Sequence, residues 1–137
     1  MSGPEIDVED FVVAYLASQS IVPSGQVSAR LPVELPLPYI LVQRVAGGDD
    51  YIWDHATIQV DSFHNSETAA SDIARAAHHA MRSLSPKTIV VVNGVNATMN
   101  HIEFEQTPFW LDYEDPIVMR YLARYVIDVR LPAIPGF

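Results

Sequence analysis

The sequence predicts an α+β fold, with two helices packed on one face of a mainly antiparallel or mixed β-sheet that ends in a long C-terminal strand. Three observations carry that prediction. From Ile117 to Leu131 the polarity alternates: Ile117, Met119, Tyr121, Ala123, Tyr125, Ile127, Val129 and Leu131 are apolar or aromatic, and Arg120, Arg124, Asp128 and Arg130 stand between them. Period two with so many β-branched and aromatic residues marks a strand with one buried face. Two other segments repeat their apolar residues at helical spacing instead. The stretches between them are short, extended in character, and bounded by Gly, Pro and Asn-Gly turn signals.

The first helix follows from Val8, Phe11, Val12, Tyr15 and Leu16, which form one apolar face. Asp7 is its candidate N-cap, and acidic residues crowd the first turn, where the helix dipole favours them. Pro23-Ser24-Gly25 reads as a loop, and Val27, Ala29 and Leu31 give a short first strand. Leu31 to Pro38 contains Pro32, Pro36 and Pro38, so it reads as an extended connector and cannot be a central strand. Tyr39 to Val45 is mostly apolar on both parities, as for a strand covered on both faces. Gly47-Gly48-Asp49-Asp50 supplies a turn, and Ala56, Ile58 and Val60 alternate in the returning strand of a hairpin.

Asn65-Ser66 starts the second helix, with Glu67 in its first turn. Its expected buried stripe is Ala69, Ile73, Ala76, Ala77, Ala80 and Leu84, small enough to let the helix lie close to a sheet, and Ser85-Pro86 ends it. Thr88 to Val92 is a short apolar strand. Asn93-Gly94, the preferred dipeptide of a type I′ turn, returns it through Val95 to Met99. His101 to Gln106 alternates weakly, and a loop is expected through Pro108, Trp110, Asp112, Asp115 and Pro116. The final strand would span roughly 50 Å if straight, against a diameter of about 35–40 Å for a compact domain of this length. It is therefore expected to bend, carry a bulge, or run on against a neighbouring chain.

The 137 residues suit one domain, 1–137, with 1–5 as an N-terminal extension and 132–137 as a tail. A 49% hydrophobic content supports a real core. The chain has no cysteine, which excludes disulfides and thiolate metal sites. No run approaches the ~18 apolar residues of a membrane span. The acidic start (Glu5, Asp7, Glu9, Asp10) is the opposite of a signal peptide's charged end, so a soluble protein made in the cytoplasm, without a membrane partner, is expected. The net charge of −9 disfavours general binding to a phosphate backbone, which needs clustered positive charge.

Residues able to carry chemistry resolve mostly into plainer roles. His78-His79 point about 100° apart on a helix and cannot share one ion. His55 and Asp61 share strand parity, with His64 just beyond, and solvated polar positions explain them. His101-x-Glu103 lacks the cysteine pair that zinc deaminase chemistry needs. No nucleophile elbow, phosphate-cradling loop or His-Glu-x-x-His pattern occurs. Asp49-Asp50, and Asp112 with Glu114-Asp115, fit solvated turns, a weak cation site or a contact for a partner's arginine. Arg120, Arg124 and Arg130 fit either a solvated face with local ion pairs or pairing with acidic residues of a neighbouring subunit. Trp53 and Trp110 each fit a core plug or an interface anchor. No catalytic residue, cofactor or metal is expected, and the chain is not expected to be an enzyme.

Several segments, taken in order, resemble a known family. They are Pro4-Glu5-Ile6-Asp7-Val8-Glu9 with Tyr15-Leu16, and Pro36-Leu37-Pro38-Tyr39-Ile40-Leu41-Val42 leading to Arg44-Val45-Ala46-Gly47-Gly48. Ile58-Gln59-Val60-Asp61-Ser62-Phe63 then precedes an alanine-rich helix, and Asp115 to Arg130 carries Arg120-Tyr121 and Val129-Arg130 near its ends. In order and spacing these resemble the tail-terminator proteins of long-tailed, non-contractile bacteriophages, especially the actinobacteriophage type. The resemblance implies a small α+β subunit of a virion ring, expected to be hexameric, at the junction of tail and neck. Such a ring caps the tail tube, stops its polymerisation and docks the neck or head-completion protein, while genomic DNA passes through the lumen without specific binding. Interface candidates are Arg44, Asp49, Asp50, Trp53, Trp110, Arg120, Arg124 and Arg130, with the terminal strand, the Leu31–Pro38 connector and the Gly47–Tyr51 turn as interface pieces. The rivals are another neck component, such as a head-completion or tail-to-head joining protein, and a cone-shaped small-molecule binder with a cavity lined by Tyr121 and Tyr125.

Overall fold

A computed structural model of the protein describes residues 8–49, 53–111 and 118–130. Its helices are α1 (Val8–Ser18) and α2 (Glu67–Arg82). The strands are β1 (Val27–Ser28), β2 (Tyr39–Asp49), β3 (Trp53–His64), β4 (Val90–Val92), β5 (Val95–Ala97), β6 (Met99–Leu111) and β7 (Met119–Arg130). Five of them form one sheet in the order β1-β2-β3-β7-β6, and β4-β5 is a separate hairpin. Only β1 and β2 run parallel; the remaining pairs of the large sheet are antiparallel. The architecture is the α+β arrangement the sequence predicts.

Both helices lie on the same face of the sheet because both carry an apolar stripe that must be covered. α1 buries Val8, Phe11, Val12, Tyr15 and Leu16, the residues its spacing picks out. α2 is capped by Ser66, whose Oγ accepts the Ala69 N–H at 3.2 Å. Opposite them the sheet presents Ile40 and Val42, then Ala56, Ile58 and Val60, then Ala123, Tyr125, Ile127 and Val129, all in one core cluster. The Tyr15 hydroxyl donates to the Ala80 carbonyl at 2.6 Å and ties the two helices together. Val90, Val92 and Ala97 bring the β4-β5 hairpin into the same cluster. Asn93 and Gly94 turn it, with φ of 51° and 79°, the left-handed pair that a type I′ turn demands.

Four expectations need correction. The glycine pair does not turn the β2–β3 hairpin: Gly47 pairs with Ala56 and Gly48 with His55, so β2 continues to Asp49. The α2 stripe is rotated, with Ala70, Ile73, Ala74, Ala77, Ala80 and Met81 buried, Ala76 exposed and Ala69 half-buried. The alanines spread over about 160° of that helix, a wider arc than the buried stripe, which leaves the centre of its inward face ambiguous. The first strand is only two residues long. The expected loop through Pro108 and Trp110 is the second half of β6, which absorbs its irregularity in register shifts between Met99 and His101, Phe104 and Gln106, and Gln106 and Phe109. The long C-terminal strand is present as β7: β3 pairs with it from Trp53↔Arg130 to His64↔Met119 without a shift, and β6 covers its other side. The strand is accommodated because its neighbours are equally long. Asp7, residues 1–5, Asp50, Asp112, Glu114, Asp115 and the 132–137 tail lie outside the described residues.

Candidate functional site

The face of the sheet away from the helices divides into an apolar part and a polar part. At the His64 end, Tyr39, Leu41, Phe63 and Val118 form a second buried cluster, and Leu35 and Leu37 of the proline connector pack against it. That contact is why a connector barred from the sheet by its prolines is still held in place. Beside it Asp61, only 3% exposed, forms an ion pair with Arg120 at 3.7 Å. Gln59 Nε2 donates to Asp61 Oδ1 at 3.1 Å, and Arg124 Nε donates to Gln59 Oε1 at 3.2 Å. Burial raises the Asp61 pKa above its ordinary value, and Arg120, the Gln59 hydrogen bond and Arg124 offset part of that rise.

On the helix side, α2 and the β6–β7 edge enclose a different environment. Ser71, Arg75, His78, His79 and Arg82 of α2 face Pro108 of β6 and Tyr121 of β7 across a cleft of about 300 Å³. Ser71, Arg75, His78 and Arg82 recur at i, i+4, i+7 and i+11, the spacing of one helical face. His78 is the floor of this cleft. Its Nδ1 and the Tyr125 hydroxyl are hydrogen-bonded at 2.7 Å, and its ring packs edge-on against Phe104 with centroids 5.7 Å apart. Burial, and then the positive charge of Arg82 and His79, lower the His78 pKa. Burial also raises the pKa of Tyr125, so its hydroxyl stays protonated. Arg75, His79 and Arg82 line the cleft from the solvent side, and neither arginine has a carboxylate partner among the described residues. Glu67 accepts from the hydroxyl of Tyr121, a cleft-lining residue, at 3.5 Å.

The residues singled out from sequence fall in four places. Arg120 and Arg124 belong to the polar network just described. Trp110 is 45% exposed on β6, opposite Tyr121, and is not a core plug. Arg44 sits half-buried at the β2 bulge, where its backbone N–H donates to Glu9 Oε2 at 2.9 Å. At the far end of the sheet the register sets Asp49 opposite Asp54 and Trp53 opposite Arg130. Of the plainer candidates, His101 pairs with Glu103 at 3.3 Å on the surface, and His64 accepts the Asn65 N–H at 2.7 Å. No group of three or more potential metal ligands occurs among the described residues. Sequence reasoning missed the Arg75–Arg82 stripe, although its 3.6-residue period was available beside the alanine pattern.

No protein-family model matches the sequence, and no curated protein sequence does. Among solved structures, a chain from the virion of a native gene transfer agent particle shares the fold. Its TM-score is 0.52 at 14% identity, and the overlap covers 90% of this chain and 95% of that one. The likeness therefore spans nearly all of both chains. Among the described residues no helix is long and apolar enough to cross a membrane.

Proposed function

We propose that this chain is a non-enzymatic structural subunit of a phage-type virion: a tail terminator. It forms a ring of six copies, which caps the tail tube, stops its growth and offers a docking face to the neck protein. The observation that carries this reading is the near end-to-end fold overlap with a gene transfer agent virion chain. The resemblance of ordered sequence segments to tail terminators supports it independently. The acidic balance of −9 suits a conduit, since a wall of like charge keeps DNA moving without holding it. A closed ring needs two different surfaces that meet after a fixed rotation.

The test is reconstitution with the tube protein encoded alongside this chain. Tubes polymerised in the presence of the chain should be capped at one end and stop growing, and native mass spectrometry should give a closed ring of about six copies. Tubes that elongate unchanged would overturn the terminator role. Binding to a portal-side partner but not to tubes would reassign the chain to another part of the neck.

A further inference from the structure

The cleft beside α2 is a basic feature on an acidic protein, which has eight Lys and Arg residues against seventeen Asp and Glu. Arg75 and Arg82 are both exposed on one face of α2, with His79 beside them and no carboxylate partner among the described residues. Pro108 and Tyr121 wall the other side of the cleft. Phe104 and Trp110 of β6 are exposed on the same face of the sheet, since the register sets them opposite Tyr125 and Tyr121. Exposed aromatic rings near arginines are the residue types that concentrate binding energy at protein interfaces. The volume of about 300 Å³ is too small for a helix 10–12 Å across and suits the side chains of a single bend.

Such a cleft calls for a carboxylate. Among the described side chains the exposed carboxylates are Glu34, Glu67, Asp72, Glu103 and Glu105. The last four belong to α2 or β6, the elements that build the cleft, and none of them pairs with either arginine. Glu34 stands elsewhere. It sits beside Val33 where the 31–38 connector bends, and Val33 is fully exposed although apolar. Pro32 and Pro36 fix φ on either side of the bend, and Leu35 and Leu37 anchor the segment against the sheet. Arg30 lies at the base of the connector, where its carbonyl accepts from the Ser28 hydroxyl at 2.6 Å, so the tip itself carries only negative charge. A bend held in this way loses little conformational entropy on docking.

The bend does not meet its own cleft. Its anchors pack on the sheet face away from the helices, beside β2, whereas the cleft lies on the helix face at β6, three strands or roughly 14 Å across. The bend of a second copy can enter it, and contacts between unlike surfaces are the kind that close into rings. We infer that the cleft between α2 and the β6–β7 edge receives the Val33–Glu34 bend of a second copy, with Glu34 paired to Arg75 and Arg82 and Val33 against the exposed rings of β6. This rests on the ring reading above and names the two surfaces that meet. The charge pairing gives the association a salt dependence, because exposed charges are screened beyond about 10 Å at 0.1 M ionic strength.

The cysteine-free sequence makes the test direct. Two single-cysteine chains, Ser71→Cys and Val33→Cys, are mixed under assembling conditions and treated with a short bis-maleimide. The expected product is a dimer containing one of each chain, with little product from either chain alone; rings that form without this product overturn the assignment. In parallel, the Arg75→Glu, Arg82→Glu double variant should need roughly tenfold or more higher concentration to assemble. Adding Glu34→Arg to the same chain should recover most of that loss. Circular dichroism should report an unchanged monomer, since all three substituted residues are exposed. A double variant that assembles at the wild-type concentration overturns the cleft assignment and leaves the ring reading standing. A double variant that forms normal rings but loses tube binding overturns it in favour of the tube protein as occupant. Wild-type chain that never associates with itself, even on tubes, overturns both.

Discussion

β6 and β7 are hydrogen-bonded neighbours of nearly equal length, thirteen and twelve residues, and the sheet uses them in opposite ways. β7 lies inside the sheet, pairs with β3 along its whole described length without a register shift, and buries Ala123, Tyr125, Ile127 and Val129 under the helices. β6 is the edge, with three register shifts, a proline and exposed Phe104, Phe109 and Trp110. A slip of one residue in β7 would turn every core side chain outward, so its register is fixed by burial. An edge strand has no such constraint, and bulges, proline and charge keep it from pairing with stray strands. The pair shows how the chain divides its work: the inner strand holds the fold, and the outer one presents surface.

The sharpest way to break that comparison is to remove the same kind of contact from each strand. Ile127→Ala deletes fully buried methyl groups from the centre of the core and should cost about 2–5 kcal/mol in urea denaturation. Phe104→Ala on β6 removes a larger side chain, yet that ring is nearly half exposed already, so a loss of about 1 kcal/mol is expected. Equal losses would mean that the core depends on β6 as heavily as on β7.

The two strands also explain what was legible in the sequence. β7 could be read residue by residue because one face is dry and the other wet, and α1 for the same reason. The second half of β6 read as a loop because Pro108 and the bulges erase the alternation on which a strand is recognised. The orientation of α2 was hidden by breadth: its alanines spread over about 160° of the helix, so apolar periodicity alone could not fix where the buried stripe is centred. The polar network was half legible. Arg120 and Arg124 stood out by charge and parity, but their intramolecular links, Asp61 and Gln59, lie on a strand about sixty residues earlier and only the register reveals them. The acidic pair Asp49 and Asp54 emerged in the same way, once the expected Gly47–Gly48 turn proved to be continuous strand.

A smaller effect probes how β7 anchors the floor of the cleft. Tyr125→Phe keeps the ring packing and removes the hydroxyl that is hydrogen-bonded to His78. Leaving that imidazole nitrogen unsatisfied in a half-buried position should cost about 1 kcal/mol in thermal melts. The wild-type contact has a pH signature as well. The His78 pKa is lowered in the fold, so below the ordinary histidine value the unfolded chain binds a proton that the folded chain resists, and stability falls as pH drops through that range. His78→Gln should flatten that limb of the stability profile. An unchanged profile would place the titration elsewhere.

The opposite sign is expected on the far face of the sheet. The Asp61 pKa is raised in the fold, chiefly by burial, despite Arg120. Above the ordinary carboxylate value of 3.8 the unfolded chain has released its proton while the folded chain still holds one. This group's contribution to stability therefore falls as pH climbs toward the raised value. Asp61→Asn should remove that decline, which a series of denaturation curves between mild acid and neutrality would detect. A steeper decline in the variant would mean that the Arg120 pair outweighs the cost of burial.

The smallest effect on stability should carry the largest effect on assembly, and Trp110 is where the two separate. Its side chain is 45% exposed on the edge strand, opposite Tyr121 at the rim of the cleft. Truncating a surface residue away from caps and buried networks usually changes folding free energy by no more than about 0.5 kcal/mol. Trp110→Ala should therefore melt as wild type does. At an interface the same ring would be desolvated on both sides, and losing such an anchor costs about 2 kcal/mol or more, a shift of at least about thirtyfold in association. Matched melting curves with a rightward shift in the concentration needed for ring formation would identify Trp110 as an assembly residue. A large loss of stability with unchanged assembly would instead return it to the fold, and with it the idea that the edge strand exists to be met by another chain.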